Sequence, residues 1–279
     1  MMNIIRADTY RILRGKGIYI SLAVLIVVIT LGSLTGGTIG LSSDGMVIMD
    51  ETIEAIENNS TEQLSAEREA AFRAPTGLEA VNKATSSSNN VLFFLLPLVI
   101  FVSIVDFSSG GAKNTLAGGV NRVKYYFSKL ILSFVLFAVF LLVYVLLFVL
   151  LASIFNGFGG TFNGAFIAGL VRILLPQLWL GLAGVCVAHF FAFLFRSSAF
   201  VGVYIAFLVL PLLLIYTLTF ANEWFVNLLD YELTMNIGLM AHIDMLSSGD
   251  VIKVILIGAG YIVAAVIGGF AVFRKAEIK

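Results

Sequence analysis

The sequence predicts an all-α integral membrane protein with six transmembrane helices, on three observations. Of its 279 residues, 59% are hydrophobic and only 12% are charged, about half the charged share of a soluble domain. Several apolar runs reach the ~20 residues that carry a helix across a ~30 Å hydrocarbon core, too long and unbroken for barrel strands. Cations and acids are also sorted between alternate connecting segments, as a polytopic chain requires. The spans are expected at about 17–37, 91–106, 130–155, 173–195, 197–219 and 251–273, with the second the shortest. Residues 1–279 read as a single transmembrane domain.

Residues 1–16, "MMNIIRADTYRILRGK", place Met1, Met2, Ile5, Ile12 and Leu13 on one helical arc and Arg6, Asp8, Arg11 and Arg14 on the other. That pattern suits an amphipathic elbow helix lying in the membrane interface ahead of span 1. A basic leader that only sets orientation would show the same cations. The apolar run that follows is too long for the core of a cleaved signal peptide.

The segment 38–90 is external in this reading. It has helix-forming composition, a capping-box spacing at Ser60 and Gln63, and Pro75 as a stop, so one or two short helices are expected there. Its acids, Asp50, Glu51, Glu54, Glu57, Glu62, Glu67 and Glu69, could draw a cationic peptide, but a solvated acidic surface is the preferred reading. The segment 220–250 is too apolar for a plain loop and too acidic for a span. Half-inserted helices shielded by protein reconcile the two.

With the N-terminus inside, twelve of the 17 cations lie in cytoplasmic segments with only Asp8, Asp106 and Glu277, while the other five face fourteen acids outside. A formal charge of zero thus conceals about +9 inside and −9 outside. Both termini are expected in the cytoplasm, and no nucleic-acid partner is expected.

Several chemistries are missing. There is no G-x-x-x-x-G-K-[ST] loop to cradle phosphates, so ATP hydrolysis is not expected in this chain. There is no H-E-x-x-H, the two histidines His189 and His242 lie far apart, and Cys186 is alone within an apolar run. Neither a metal site nor a disulfide framework is expected. His189 could relay protons, but with no acidic partner evident in the spans it reads as a bonded packing residue. Arg172 and Arg196 flank an apolar run as snorkelling anchors. Scarce intramembrane acids count against an ion-coupled secondary transporter, which remains an alternative together with a non-transporting sensor or scaffold.

The segment 107–129, "FSSGGAKNTLAGGVNRVKYYFSK", stands apart. Its cations would be needed for orientation in any case, but its paired glycines and the run into span 3 would not. Gly118 and Gly119 permit a sharp turn, and Arg122, Lys124 and Lys129 follow on a short helical stretch ahead of span 3. The pattern K-N-x-L-x-x-G-x-x-R-x-x-x-Y-x-S-K, in Lys113, Asn114, Leu116, Gly119, Arg122, Tyr126, Ser128 and Lys129, together with the order of elbow, span, external segment, span and basic loop, resembles the permease subunits of type-2 ATP-binding-cassette exporters, such as bacterial antimicrobial-peptide and drug export permeases. Here "SSGGAKN" stands where G-T-I-R-N is frequent, so Lys113 replaces an arginine and lacks its bidentate fork.

The resemblance implies a permease domain with a coupling helix between spans 2 and 3, carrying Lys113, Asn114, Gly118, Gly119, Arg122, Lys124 and Lys129. That helix would dock on a separate cytoplasmic ATPase, beside the elbow with Arg6, Arg11 and Arg14, and short external helices would precede span 6. It also implies a bacterial plasma membrane, a second permease as homo- or heterodimer, ATP and Mg in the partner subunit rather than in this chain, and export of an amphipathic peptide, drug or lipid-like molecule. Phe93, Phe94 and Phe101 in span 2 suit such a substrate, although phenylalanine is also ordinary filler in spans.

Overall fold

The computed structural model describes residues 1–35, 74–86, 91–220 and 222–276. Among them the secondary structure is helical throughout. Helix α1, Met2–Arg14, ends where Gly15 turns extended (φ −75°, ψ 136°) and donates its N–H to the Arg11 and Ile12 carbonyls. Helix α2, Lys16–Thr35, starts at once and buries Ile18, Ser21, Leu25 and Ile29, a 3–4–4 spacing that makes one stripe.

Most of the expected external segment 38–90, including Ser60, Gln63 and its run of acids, lies outside the described residues. Its end is held firmly. Gly77 and Leu78 donate backbone N–H groups to the Gly157 and Phe158 carbonyls at 2.9 Å, and Asn156 Nδ2 donates to the Pro75 carbonyl at 3.0 Å. Helix α3, Glu79–Ser86, then begins from a capping box, with Thr76 N–H on the Glu79 carboxylate and Glu79 N–H on the Thr76 hydroxyl.

Helix α4, Val91–Val99, contains Pro97. Without an N–H, Pro97 cannot bond back to Phe93, and the ladder widens into a π-turn at Ile100–Ile104 before resuming as α5, Val105–Ser108. The chain then bends by 68° into α6, Gly111–Ala117. Helix α7, Arg122–Asn156, has 35 residues, about 52 Å at 1.5 Å per residue, so a helix of this length crossing a ~30 Å core would leave roughly 22 Å, at its ends, outside it. Helix α8 is Gly164–Phe195 and helix α9 is Phe200–Thr219.

Three short pieces follow: a 3₁₀ helix at Glu223–Tyr231, α10 at Leu233–Leu239, and a second 3₁₀ helix at Met240–Met245. Side chains of Asn222 and Glu232 cap the first two. The last helix, α11, is Ser248–Lys275 and opens on a Ser247/Asp250 capping box.

Close approach of α8 and α11 depends on missing side chains. A Cβ on Gly258 would sit 2.7 Å from the Trp179 indole nitrogen of α8, and one on Gly269 would sit 3.3 Å from the Phe190 Cα of α8 and 2.5 Å from the Tyr126 hydroxyl of α7. Small residues at such crossings let apolar helices pack without a hydrophobic drive between them. Helix α9 is peripheral: Phe200, Tyr204, Leu208, Leu212 and Ile215 make its one buried stripe, while Leu210, Leu213 and Leu214 are exposed.

Among the described residues, four helices (α7, α8, α9 and α11) are long and apolar enough to cross a membrane, and the bent pair Leu95–Ser108 with α6 makes a fifth if counted as one span. Six were expected. Helix α2 covers the expected first span as far as Thr35, with an apolar stretch, Lys16–Val27, shorter than a span. The expected third and fourth spans, 130–155 and 173–195, lie within longer helices that begin at Arg122 and Gly164. Side chains of Asn121 and Asn163 accept N–H bonds there and start each helix earlier than hydropathy alone suggests.

Candidate functional site

The segment 107–129 lies where α1, α5, α6 and the first turns of α7 meet the end of α11. Helix α6 carries Lys113 and Asn114 on its exposed side and buries Ala112. Gly110 (φ +73°) precedes it and Gly119 (φ +87°) follows it, so left-handed residues bracket a seven-residue helix. Gly118 has an ordinary φ of −72°. The short helix therefore precedes the glycine pair, and Arg122, Lys124 and Lys129 belong to α7, not to a separate helix after the turn. This differs from the sequence expectation because the Asn121 side chain, accepting the Val123 N–H, starts α7 directly.

The seven basic-loop residues do not share one surface. Lys113, Asn114, Gly118, Gly119 and Lys124 are exposed. Arg122 is half-buried, and its Nη1 lies 2.9 Å from the carbonyl oxygens of Phe273, Arg274 and Ala276 at the end of α11, sharing its two N–H groups among them. Its guanidinium also lies 5.8 Å from the Phe273 ring centroid. Lys129 is fully buried and presents no surface to a partner.

Lys129 is instead the centre of an ion cluster. Its ammonium donates to Asp8 of α1 at 2.7 Å and to Asp106 of α5. Arg11 of α1 bonds the same two carboxylates, Asp8 at 3.1 Å and Asp106 through Nη1, and reaches the Phe101 carbonyl at 3.3 Å. Tyr125 donates its hydroxyl to Asp106 at 3.1 Å. Two cations and two anions balance, as buried charges must if they are to remain ionised. Burial pushes the Asp8 carboxyl above its ordinary range, and the Lys129 ammonium beside it pulls it back. Of the elbow arginines only Arg11 joins the cluster; Arg6 is exposed, and Arg14 stacks on Tyr10 at 4.7 Å.

Beneath the ions lies an aromatic layer. Phe193 of α8 meets Phe273 of α11 and Tyr126 of α7 edge to face, each at 4.9 Å, and Phe107 at 5.2 Å. Tyr125 stacks on Phe273 at 5.7 Å. Ions thus join the elbow, the bent segment and α7, and rings join the bent segment, α7, α8 and α11.

Sequence reasoning missed Asp8, Asp106 and Tyr125 as partners of Lys129. The signal was present, since Asp8 and Asp106 are two of only three acids in segments otherwise rich in cations. His189 is buried and bonds Ser133 at 2.8 Å, and Cys186 is a buried free thiol. Among the described residues no three His, Cys, Asp or Glu side chains gather as metal ligands. The cluster links α1, α5 and α7 through two carboxylates and two cations. No protein-family model and no curated protein matches the chain.

Proposed function

We propose that this chain is the permease subunit of an ATP-driven exporter, working with a second permease and with cytoplasmic ATP-binding-cassette subunits that hydrolyse ATP. In this reading α2 and the bent segment are the first two of six spans, both termini are cytoplasmic, and α6 is the coupling helix. The observation that carries the proposal is the joint between a short exposed helix and the rest of the bundle. Helix α6 leaves α5 at 68°, and α5 is fixed through Asp106 to both α1 and α7. A push on Lys113 and Asn114 is therefore passed to three elements together rather than absorbed by a loop. Movement of that unit, together with the α8 and α11 rings packed on it, against the facing permease would open a path for an amphipathic substrate between the two.

The test is purification. The isolated chain should neither bind nor hydrolyse ATP, whereas the chain taken from its native membrane in mild detergent should bring an ATP-binding-cassette ATPase with it. Hydrolysis by the rigorously isolated chain would overturn the proposal, as would native preparations free of such a subunit.

A further inference from the structure

At the end of α11 an open groove of about 640 Å³ is lined by Phe127, Val266, Ile267 and Phe270, with Arg274 and Lys275 at its rim. Cations in the last turn of a helix ordinarily serve its orphaned carbonyls and its dipole. Here that task falls to Arg122, which serves three carbonyls of this terminus. Arg274 and Lys275 are both exposed, and among the described residues no carboxylate pairs with either. Lys124, one turn before Phe127 on the same side of α7, is a third exposed cation.

The groove continues into a stripe of exposed apolar residues on α11: Ile267 at 64%, Val263 at 55% and Leu256 at 65%. Eight residues separate Ile267 from Lys275, about 12 Å along the helix. Apolar floor and cationic rim are thus spaced as acyl chain and headgroup are in one leaflet.

We propose that this groove is a binding site for an anionic phospholipid, its phosphodiester held by Arg274 and Lys275 and one acyl chain lying over Phe127, Ile267 and Phe270. The proposal needs only that the helices cross a membrane and does not rest on the exporter reading. A soluble protein could meet the rim but not Ile267, ~12 Å along the helix from Lys275, or the exposed apolar stripe that continues beyond it. A second copy in a two-fold contact would bring these uncompensated cations against their own equivalents. A free phosphate has nothing to place on the floor.

The full-length chain should be purified in detergent from membranes containing both phosphatidylglycerol and phosphatidylcholine, and the retained lipid identified by mass spectrometry after detergent exchange. Phosphatidylglycerol should be retained at least tenfold over phosphatidylcholine. Arg274→Gln with Lys275→Gln should abolish the preference, and Ile267→Trp should lower retention by filling the groove with the cations intact. Arg6→Gln with Lys16→Gln, an equal loss of charge elsewhere, should keep the preference. Equal retention of the two lipids, equal loss in both charge variants, or a preference untouched by Arg274→Gln with Lys275→Gln would each overturn the site. So would a groove variant that keeps the lipid and loses self-association instead, which would assign the groove to a second copy.

Discussion

Lys129 shows how burial changes what a cation in a basic segment means. In sequence it looks like one more positive charge on a cytoplasmic loop; in the structure it is fully buried between Asp8 and Asp106. Removing one member of a buried ion group leaves its partners uncompensated, at roughly 3–5 kcal/mol. Lys129→Met should therefore be severely destabilising in denaturant or thermal unfolding, and adding Asp106→Asn should restore part of the loss by returning the cluster to neutrality. Additive losses would mean that the two charges are not coupled. Arg122 likewise faces inward, across three carbonyls of α11. Arg122→Gln should cost about 1.5–2 kcal/mol, the lower part of the range for bonds from a charged donor because the site is half solvated. Thermal unfolding would register this without any partner subunit present, and an unchanged melting temperature would return Arg122 to the role of a plain topology signal.

Helix α6 has only seven residues and no side-chain cap, too short to persist by itself. It depends on Ala112, which is buried in the same cluster as Tyr125, Tyr126, Phe193 and Phe273, and on the two left-handed glycines at its borders. A Cβ at Gly110 or Gly119 would meet nothing within 4 Å, so Gly110→Ala and Gly119→Ala isolate the backbone cost of about 1–2 kcal/mol. Gly118→Ala, at φ −72°, should be nearly silent in the same unfolding assay, and equal effects at all three positions would refute this reading. The paired glycines marked a turn correctly in sequence, but which of the two needed to be glycine was not legible. Nor was the side on which the short helix lies, because tertiary packing of Ala112 decides it and the N-cap at Asn121 hands the following residues to α7.

For the chain as a unit, the membrane class and the helical architecture were legible because composition and run length act over tens of residues. The scarcity of acids in the basic segments marked Asp8 and Asp106, but their pairing with Lys129 was not legible, since the three lie up to 121 residues apart and no local pattern joins them. The sorting of charge does make one global forecast. Cysteines placed at Ser65 or Ser87 should react with an impermeant thiol reagent on intact cells and one at Ser109 should not; the opposite pattern would invert the orientation. The role proposed for α6 meets its most direct test in ATP turnover by the complex isolated from native membranes. Lys113→Glu with Asn114→Ala alters only exposed side chains of α6 and should leave the melting temperature of the isolated chain unchanged. Co-purified ATPase activity should then fall by about tenfold or more, the equivalent of 1.4 kcal/mol of docking energy. Full activity in that variant, with the same amount of ATPase retained, would contradict coupling through α6.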